Sequence, residues 1–200
     1  MTERVRFSSG GVELEGMLNL KETDRGAVVT HPHPLYGGNM HHPVVEMIAD
    51  AYGRKGYSTL RFNFRGAGGS QGSYDDGRGE VSDILAATSF LREKGIGHID
   101  LAGYSFGTWV IAKVPLAASW AGRIVMVSPP VAFMDMPASL RLANLYLVVT
   151  GDMDDIAPPD IVEKRLSGWN GTARLEIIKG ADHFYGHQMD KLKKILDDYL

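Results

Sequence analysis

The sequence predicts an α/β protein built on a mostly parallel sheet, and three observations carry that prediction. Short apolar, strand-like runs alternate with helical runs along most of the chain, the pattern of repeated crossover units. A hairpin signature occupies the N-terminus and would add an antiparallel edge. The strand-like runs stop at clusters of glycine, proline and aspartate, which favour turns.

Each element has its own signal. Residues 4–20 read as two strands: Val5 and Phe7 alternate with polar neighbours, Gly10-Gly11 marks a turn, and Val12, Leu14 and Gly16 alternate with Glu13 and Glu15. A polar loop follows, then a short buried strand at 27–30. His31-Pro32-His33-Pro34 ends it, because that run continues neither a strand nor a helix. Val44, Val45, Ile48, Ala49 and Tyr52 have helical spacing, closed by Lys55-Gly56. Residues 60–65 alternate as a strand and run into Gly66-Ala67-Gly68-Gly69. Strands buried on both faces usually read as continuous apolar runs. Arg61 and Arg65 must therefore meet carboxylates or carbonyls, or lie near a sheet end.

Val81, Ile84, Leu85, Thr88 and Leu91 mark a helix face that stops at Gly95. Residues 99–102 form a strand, preceded by His98 in a turn and followed by Gly103-Tyr104-Ser105-Phe106-Gly107 and a helical run to about Val114. Further strands are expected at 124–127, ended by Pro129-Pro130, at 145–149, ended by Gly151, and at 175–178. Residues 161–166 read as a helix, and Met189, Leu192, Leu196 and Tyr199 give a final amphipathic one. With no repeat or linker, residues 1–200 read as one domain with helices on both faces of the sheet.

Composition narrows the function. The net charge of −3 offers no footprint for nucleic acid or an anionic membrane. Zero cysteines excludes disulfides, cysteine-ligated zinc, iron–sulfur clusters and a cysteine nucleophile. The N-terminus carries no apolar run of the kind a secretory signal has, and no stretch has the ~18 apolar residues of a membrane span. A soluble, cytoplasmic protein is expected.

In such a sheet, sites form beyond the carboxyl ends of the strands. Three of those ends carry groups that can act together. Ser105 sits in G-x-S-x-G between a strand and a helix, where a sharp turn exposes the hydroxyl and small residues let strand and helix pass closely. Asp152, Asp154 and Asp155 follow the strand at 145–149; an acid there can orient a histidine, and the same residues also favour turns and helix caps. His183 follows the strand at 175–178 and can serve Ser105 as general base, then the leaving group as general acid. Ser105, Asp154 and His183 are separated by 49 and 29 residues, room for each group to sit at its own strand end. Their order is that of an α/β-hydrolase.

On these motifs the chain resembles the α/β-hydrolase superfamily from about Val12 to the C-terminus. It is most similar to small, capless bacterial serine hydrolases with stretches like His31-Pro32-His33-Pro34-Leu35-Tyr36-Gly37-Gly38, Arg61-Phe62-Asn63-Phe64-Arg65-Gly66 and Gly103-Tyr104-Ser105-Phe106-Gly107. That group is related to dienelactone hydrolases, whose nucleophile is a cysteine that this chain lacks. The resemblance implies an α/β-hydrolase fold without a cap domain. It implies Asp154 as the acid, in a G-x-x-D-x-x-V-P stretch with Ala157 in place of the valine; Asp155 and Asp152 remain alternatives, in that order. It also places an oxyanion hole at the backbone N–H of Phe106 and in the loop after the strand at 27–30. Pro32 and Pro34 have no N–H to give, whereas His33, Leu35 and Tyr36 do. Leu35 or Tyr36 is favoured, because Gly37-Gly38 would let the backbone turn inward.

Other readings weigh less. His31, His33, His41 and His42 invite a metal, but no carboxylates or H-E-x-x-H follow at ligand spacing. Gly66 to Gln71 fails as a dinucleotide fingerprint and no P-loop occurs, so no cofactor is expected. Asp75, Asp76 and Glu80 read as a solvated loop and helix N-terminal charges, and Asp182 and His187 as surface loop. Phe133, Met134, Met136, Leu140 and Leu142 are either a short apolar pocket wall or core. The expectation is a serine hydrolase of small, short-acyl esters or thioesters. An acyltransferase, amidase or peptidase would use the same triad, and a non-catalytic binding module could use the same fold.

Overall fold

The computed structural model describes residues 2–115 and 121–200. The N-terminal hairpin is β1 (Thr2–Ser9) and β2 (Val12–Asn19), followed by β3 (Arg25–Thr30), α1 (Pro43–Arg54) and β4 (Ser58–Phe62). Then come α2 (Arg78–Glu93), β5 (His98–Tyr104), α3 (Phe106–Lys113), β6 (Ala121–Val127), β7 (Leu145–Gly151), α4 (Pro159–Trp169), β8 (Arg174–Ile178) and α5 (Met189–Tyr199). Eight strands form one sheet in the order β1-β2-β4-β3-β5-β6-β7-β8. The pairs β1–β2 and β2–β4 are antiparallel, and every other pair is parallel. This is the α/β-hydrolase architecture.

Alternation within the strands divides the core. Val28, Leu101, Ile124 and Val148 point to the face covered by α2, α3 and α4. Val29, Ala102, Val125 and Val149 point to the face covered by α1 and α5. Both faces are dry, as a parallel sheet requires. Residues 128–144 carry neither helix nor strand, so among the described residues no cap domain stands over the strand ends. No helix among the described residues is long and apolar enough to cross a membrane.

The two arginines of the 60–65 stretch find the partners their placement demands. Arg61 Nη1 donates to Met40 O at 2.9 Å, and Nη2 lies 3.1 Å from Glu46 Oε1. The strand itself stops at Phe62, and Arg65 pairs with Asp83 of α2, whose carboxylate is fully buried, at 2.7 Å. The Arg65 N–H donates to the same carboxylate at 3.0 Å.

Two acids differ from a reading of solvated charge. Glu80 is completely buried, and its carboxylate accepts the Asp75 N–H at 2.9 Å and the Gly77 N–H at 2.8 Å, capping α2 from within. Asp75 is half-buried and Asp76 exposed. Glu15 of β2 is also buried, and accepts from Asn63 Nδ2 at 2.7 Å and the Gly69 N–H at 2.6 Å. Asn63 Oδ1 then accepts the Met40 N–H at 2.7 Å. A chain of bonds thus runs from the second strand of the hairpin through the glycine-rich loop to the segment before α1.

Replacing Arg65 by Ala leaves the wholly buried Asp83 without its cation. The expected loss is about 3–5 kcal/mol by urea denaturation, with most of it recovered in Arg65→Met/Asp83→Leu, which removes both charges.

Candidate active site

The carboxyl ends of β5, β7 and β8 bring three side chains together. Ser105 Oγ lies 2.9 Å from His183 Nε2, and His183 Nδ1 lies 2.9 and 3.0 Å from the two Asp154 oxygens. All three side chains are buried.

Ser105 holds φ 52° and ψ −122° at the junction of β5 and α3, a conformation L-residues rarely adopt. Its N–H donates to Val127 O at 2.9 Å, tying the turn to the end of β6. The flanking glycines are a steric necessity. A Cβ on Gly103 would stand 2.5 Å from Thr30 Oγ1, and one on Gly107 would stand 2.4 Å from the same atom. The end of β3 therefore packs directly into the crook of the turn.

Of the three aspartates, geometry singles out Asp154. Its Oδ1 also accepts the N–H groups of Ile156 and Ala157 at 3.0 and 2.7 Å. Asp152 instead accepts the Gly180 N–H at 2.6 Å, joining the loops after β7 and β8, and Asp155 is exposed. Burial pushes the Asp154 carboxyl up. Bonds and charge from His183, with hydrogen bonds from Ser128 and Ala157, outweigh it and hold the group below its usual range. Asp154 is thus an anion set to receive a proton-bearing Nδ1.

Two tyrosines brace this arrangement, a role the sequence did not signal. Tyr104 OH donates to His183 O at 2.9 Å, and Tyr185 OH lies 2.7 Å from Ser128 Oγ. Burial pushes both phenols well up, so both keep their protons.

The loop after β3 departs from expectation. Pro34 to Tyr36 form one 3-10 turn capped by His33, and this turn uses the donors favoured from the sequence. The Leu35 N–H donates to His33 Nδ1 at 3.3 Å and the Tyr36 N–H to His33 O at 3.1 Å. The side chains of Leu35 and Tyr36 are exposed. Gly37 and Gly38 close the turn on Pro34 O and His33 O and do not swing the backbone inward. Among the described residues no acceptor meets the N–H of His33, or that of Phe106 at the first turn of α3. The N–H groups of Leu35 and Tyr36 are thus engaged within the turn, whereas that of His33 meets no acceptor among the described residues.

A cleft of two lobes opens at Ser105. One, about 380 Å³, is lined by His33, Tyr36, His42, Tyr104, His183 and Phe184, among others. The other, about 390 Å³, is lined by His33, Tyr36, Phe106, Pro130, Phe133 and Met134, and Ser105 and Ile156 border both. Of the apolar residues before β7, Phe133 and Met134 line the cleft, whereas Met136 and Leu142 are core and Leu140 packs against it. A larger cavity, about 720 Å³, lies at the opposite ends of β6, β7 and β8, remote from these groups.

The four N-terminal histidines do not converge. His31 is wholly buried: its Nδ1 lies 2.6 Å from Pro32 O and its Nε2 accepts the Phe64 N–H at 3.0 Å. His33 and His42 line the cleft, and His41 sits exposed between Arg61 and Glu46. Among the described residues no three histidine or acidic side chains gather as metal ligands. Asp182 and His187 are exposed.

No family model matches the chain. It is 36% identical over 184 residues to an uncharacterized protein of Rickettsia prowazekii, covering 87% of this chain and 77% of that one. A solved structure described as an α/β serine hydrolase homologue from Coxiella burnetii superposes with a TM-score of 0.90 at 33% identity, covering 99% of this chain and 97% of that one. A lid-less α/β serine hydrolase from Xanthomonas campestris gives a TM-score of 0.87 at 29% identity, covering 98% and 92%.

His31 yields a prediction about stability. Burial lowers its pKa from 6.5 to about 4, so the folded state binds fewer protons than the unfolded chain between those values. Its contribution is fully present above pH 6.5 and is lost as pH falls towards 4, a difference of about 3 kcal/mol. Urea titrations across that range should show a shallower pH slope in His31→Asn than in the parent.

Proposed function

The chain belongs to the α/β serine hydrolases, and from that premise we propose that it is an esterase cleaving small, short-acyl carboxylic esters or thioesters through an acyl-enzyme. The observation that carries this reading is the unbroken chain of contacts from Asp154 through His183 to Ser105.

In this mechanism Ser105 Oγ attacks the acyl carbonyl while His183 Nε2 takes its proton. Asp154 holds Nδ1–H, fixing the tautomer, and stabilises the imidazolium that forms. The tetrahedral oxyanion is met by the N–H groups of His33 and Phe106, already oriented and without other acceptors among the described residues. His183 passes its proton to the leaving oxygen, the C–O bond breaks, and the acyl group stays on Ser105. Water then attacks that ester with His183 as base, and Ser105 leaves with the proton returned. The open cleft, with its lobe of about 390 Å³ closed off by Phe133 and Met134, supports a short acyl group.

Fluorophosphonate treatment followed by peptide mass spectrometry tests the nucleophile without a guess at substrate. One adduct is expected, on Ser105, absent in Ser105→Ala and slowed roughly 10⁴-fold or more in His183→Ala. No adduct on a folded protein would replace this reading with that of a non-catalytic binding module. A panel of esters of rising acyl length checks the substrate. Turnover is expected to peak at short chains, and a maximum at long chains would refute that assignment.

A further inference from the structure

We propose that His42 selects the leaving group, and that the substrates are esters whose alcohol carries a neutral oxygen acceptor, as esters of glycols and other polyols do. This rests on the esterase reading above and adds the alcohol half of the substrate.

The first step is to assign the two lobes. The leaving oxygen must receive its proton from His183, so the alcohol has to lie on the His183 side. Only one of the two lobes is lined by His183, and His42 lines that lobe and not the other. The opposite lobe, walled by Phe106, Pro130, Phe133 and Met134, is left for the acyl group.

The second step is the tautomer of His42. Its residue caps α1, and its Nδ1 accepts the Val44 N–H at 3.3 Å. A neutral imidazole that accepts at Nδ1 carries its proton on Nε2. Burial favours the neutral ring, and the nearby His183 pushes the same way. The ring is held against Tyr104, with centroids 4.9 Å apart. Among the described residues no acceptor meets its Nε2–H.

The third step is elimination. Most other polar groups of this lobe are committed: Tyr104 OH to His183 O, the Gly37 N–H to Pro34 O, the Gly38 N–H to His33 O, and both ring nitrogens of His183 to the triad. Tyr36, whose hydroxyl meets no partner among the described residues, lines both lobes and so does not distinguish them. The His33 ring has the same tautomer, because its Nδ1 accepts from Leu35, but it lines both lobes and so does not distinguish them. His42 is the donor that faces the alcohol alone. Among the described residues no lysine or arginine lines the lobe, so nothing there offers a carboxylate an ion-pair partner. That leaves a hydroxyl, ether or carbonyl oxygen as the matching acceptor.

The test compares two acetates of equal length, butyl and 2-methoxyethyl, which differ by one ether oxygen. In the parent protein, kcat/KM should favour the methoxyethyl ester beyond the ratio set by alkaline hydrolysis of the same pair. In His42→Ser, which keeps a capping oxygen, and in His42→Phe, which keeps the ring, that preference should fall about fivefold, the worth of one neutral hydrogen bond. Equal ratios in parent and folded variants overturn the proposal, as does turnover of neither ester by a protein whose Ser105 takes fluorophosphonate. If either variant fails to fold, the other and the parent ratio decide. A folded parent that takes no label overturns the esterase reading and this proposal with it.

Discussion

The site depends on one close approach, that of the end of β3 to the turn between β5 and α3. Thr30 lies where side chains on Gly103 and Gly107 would otherwise stand. This contact forces Ser105 into a left-handed conformation, and that conformation raises its hydroxyl above the sheet. The same approach sets the loop after β3 beside the start of α3, where the rings of His33 and Phe106 lie 4.6 Å apart and both residues line the cleft. A wider turn would draw Ser105 away from the loop after β3.

The remaining parts hold that contact in place with buried polar bonds. His31 staples the loop after β3 to the backbone following β4. Glu15 and Asn63 link the hairpin edge to the glycine-rich loop and to Met40. Ser128, itself at φ 49°, joins Tyr185 to Asp154. Each is a satisfied group in a low-dielectric setting, where a lost partner costs more than a surface bond returns. The loops around the cleft are therefore fixed by internal chemistry even though no cap covers them.

Much of this was legible in the sequence because strand ends advertise themselves. The glycines around Ser105, the order of Ser105, Asp154 and His183, and the hairpin at Gly10-Gly11 each reflect a local backbone demand. What escaped depends on partners distant in sequence. Asp152, Asp154 and Asp155 are the same residue type in one turn, and only the N–H groups of Ile156 and Ala157 and the reach of His183 separate them. Leu35 and Tyr36 looked available because the closure of the 3-10 turn onto His33 was not visible. Glu80 does lie in the first turn of α2, as a helix N-terminal charge would, but its complete burial and its bonds to the Asp75 and Gly77 N–H groups carry no local signal beyond the spacing of an internal cap. In the sequence His42 stands out only among histidines that invite a metal, and its capping role depends on α1 beginning at Pro43.

The positive φ of Ser105 has an evolutionary consequence. A serine held there costs on the order of 1–3 kcal/mol that glycine would not. Exchanging that single residue for glycine would raise thermal robustness with no repacking elsewhere. Drift in this fold therefore pulls against a serine at 105, a residue that mutation alone would tend to erase.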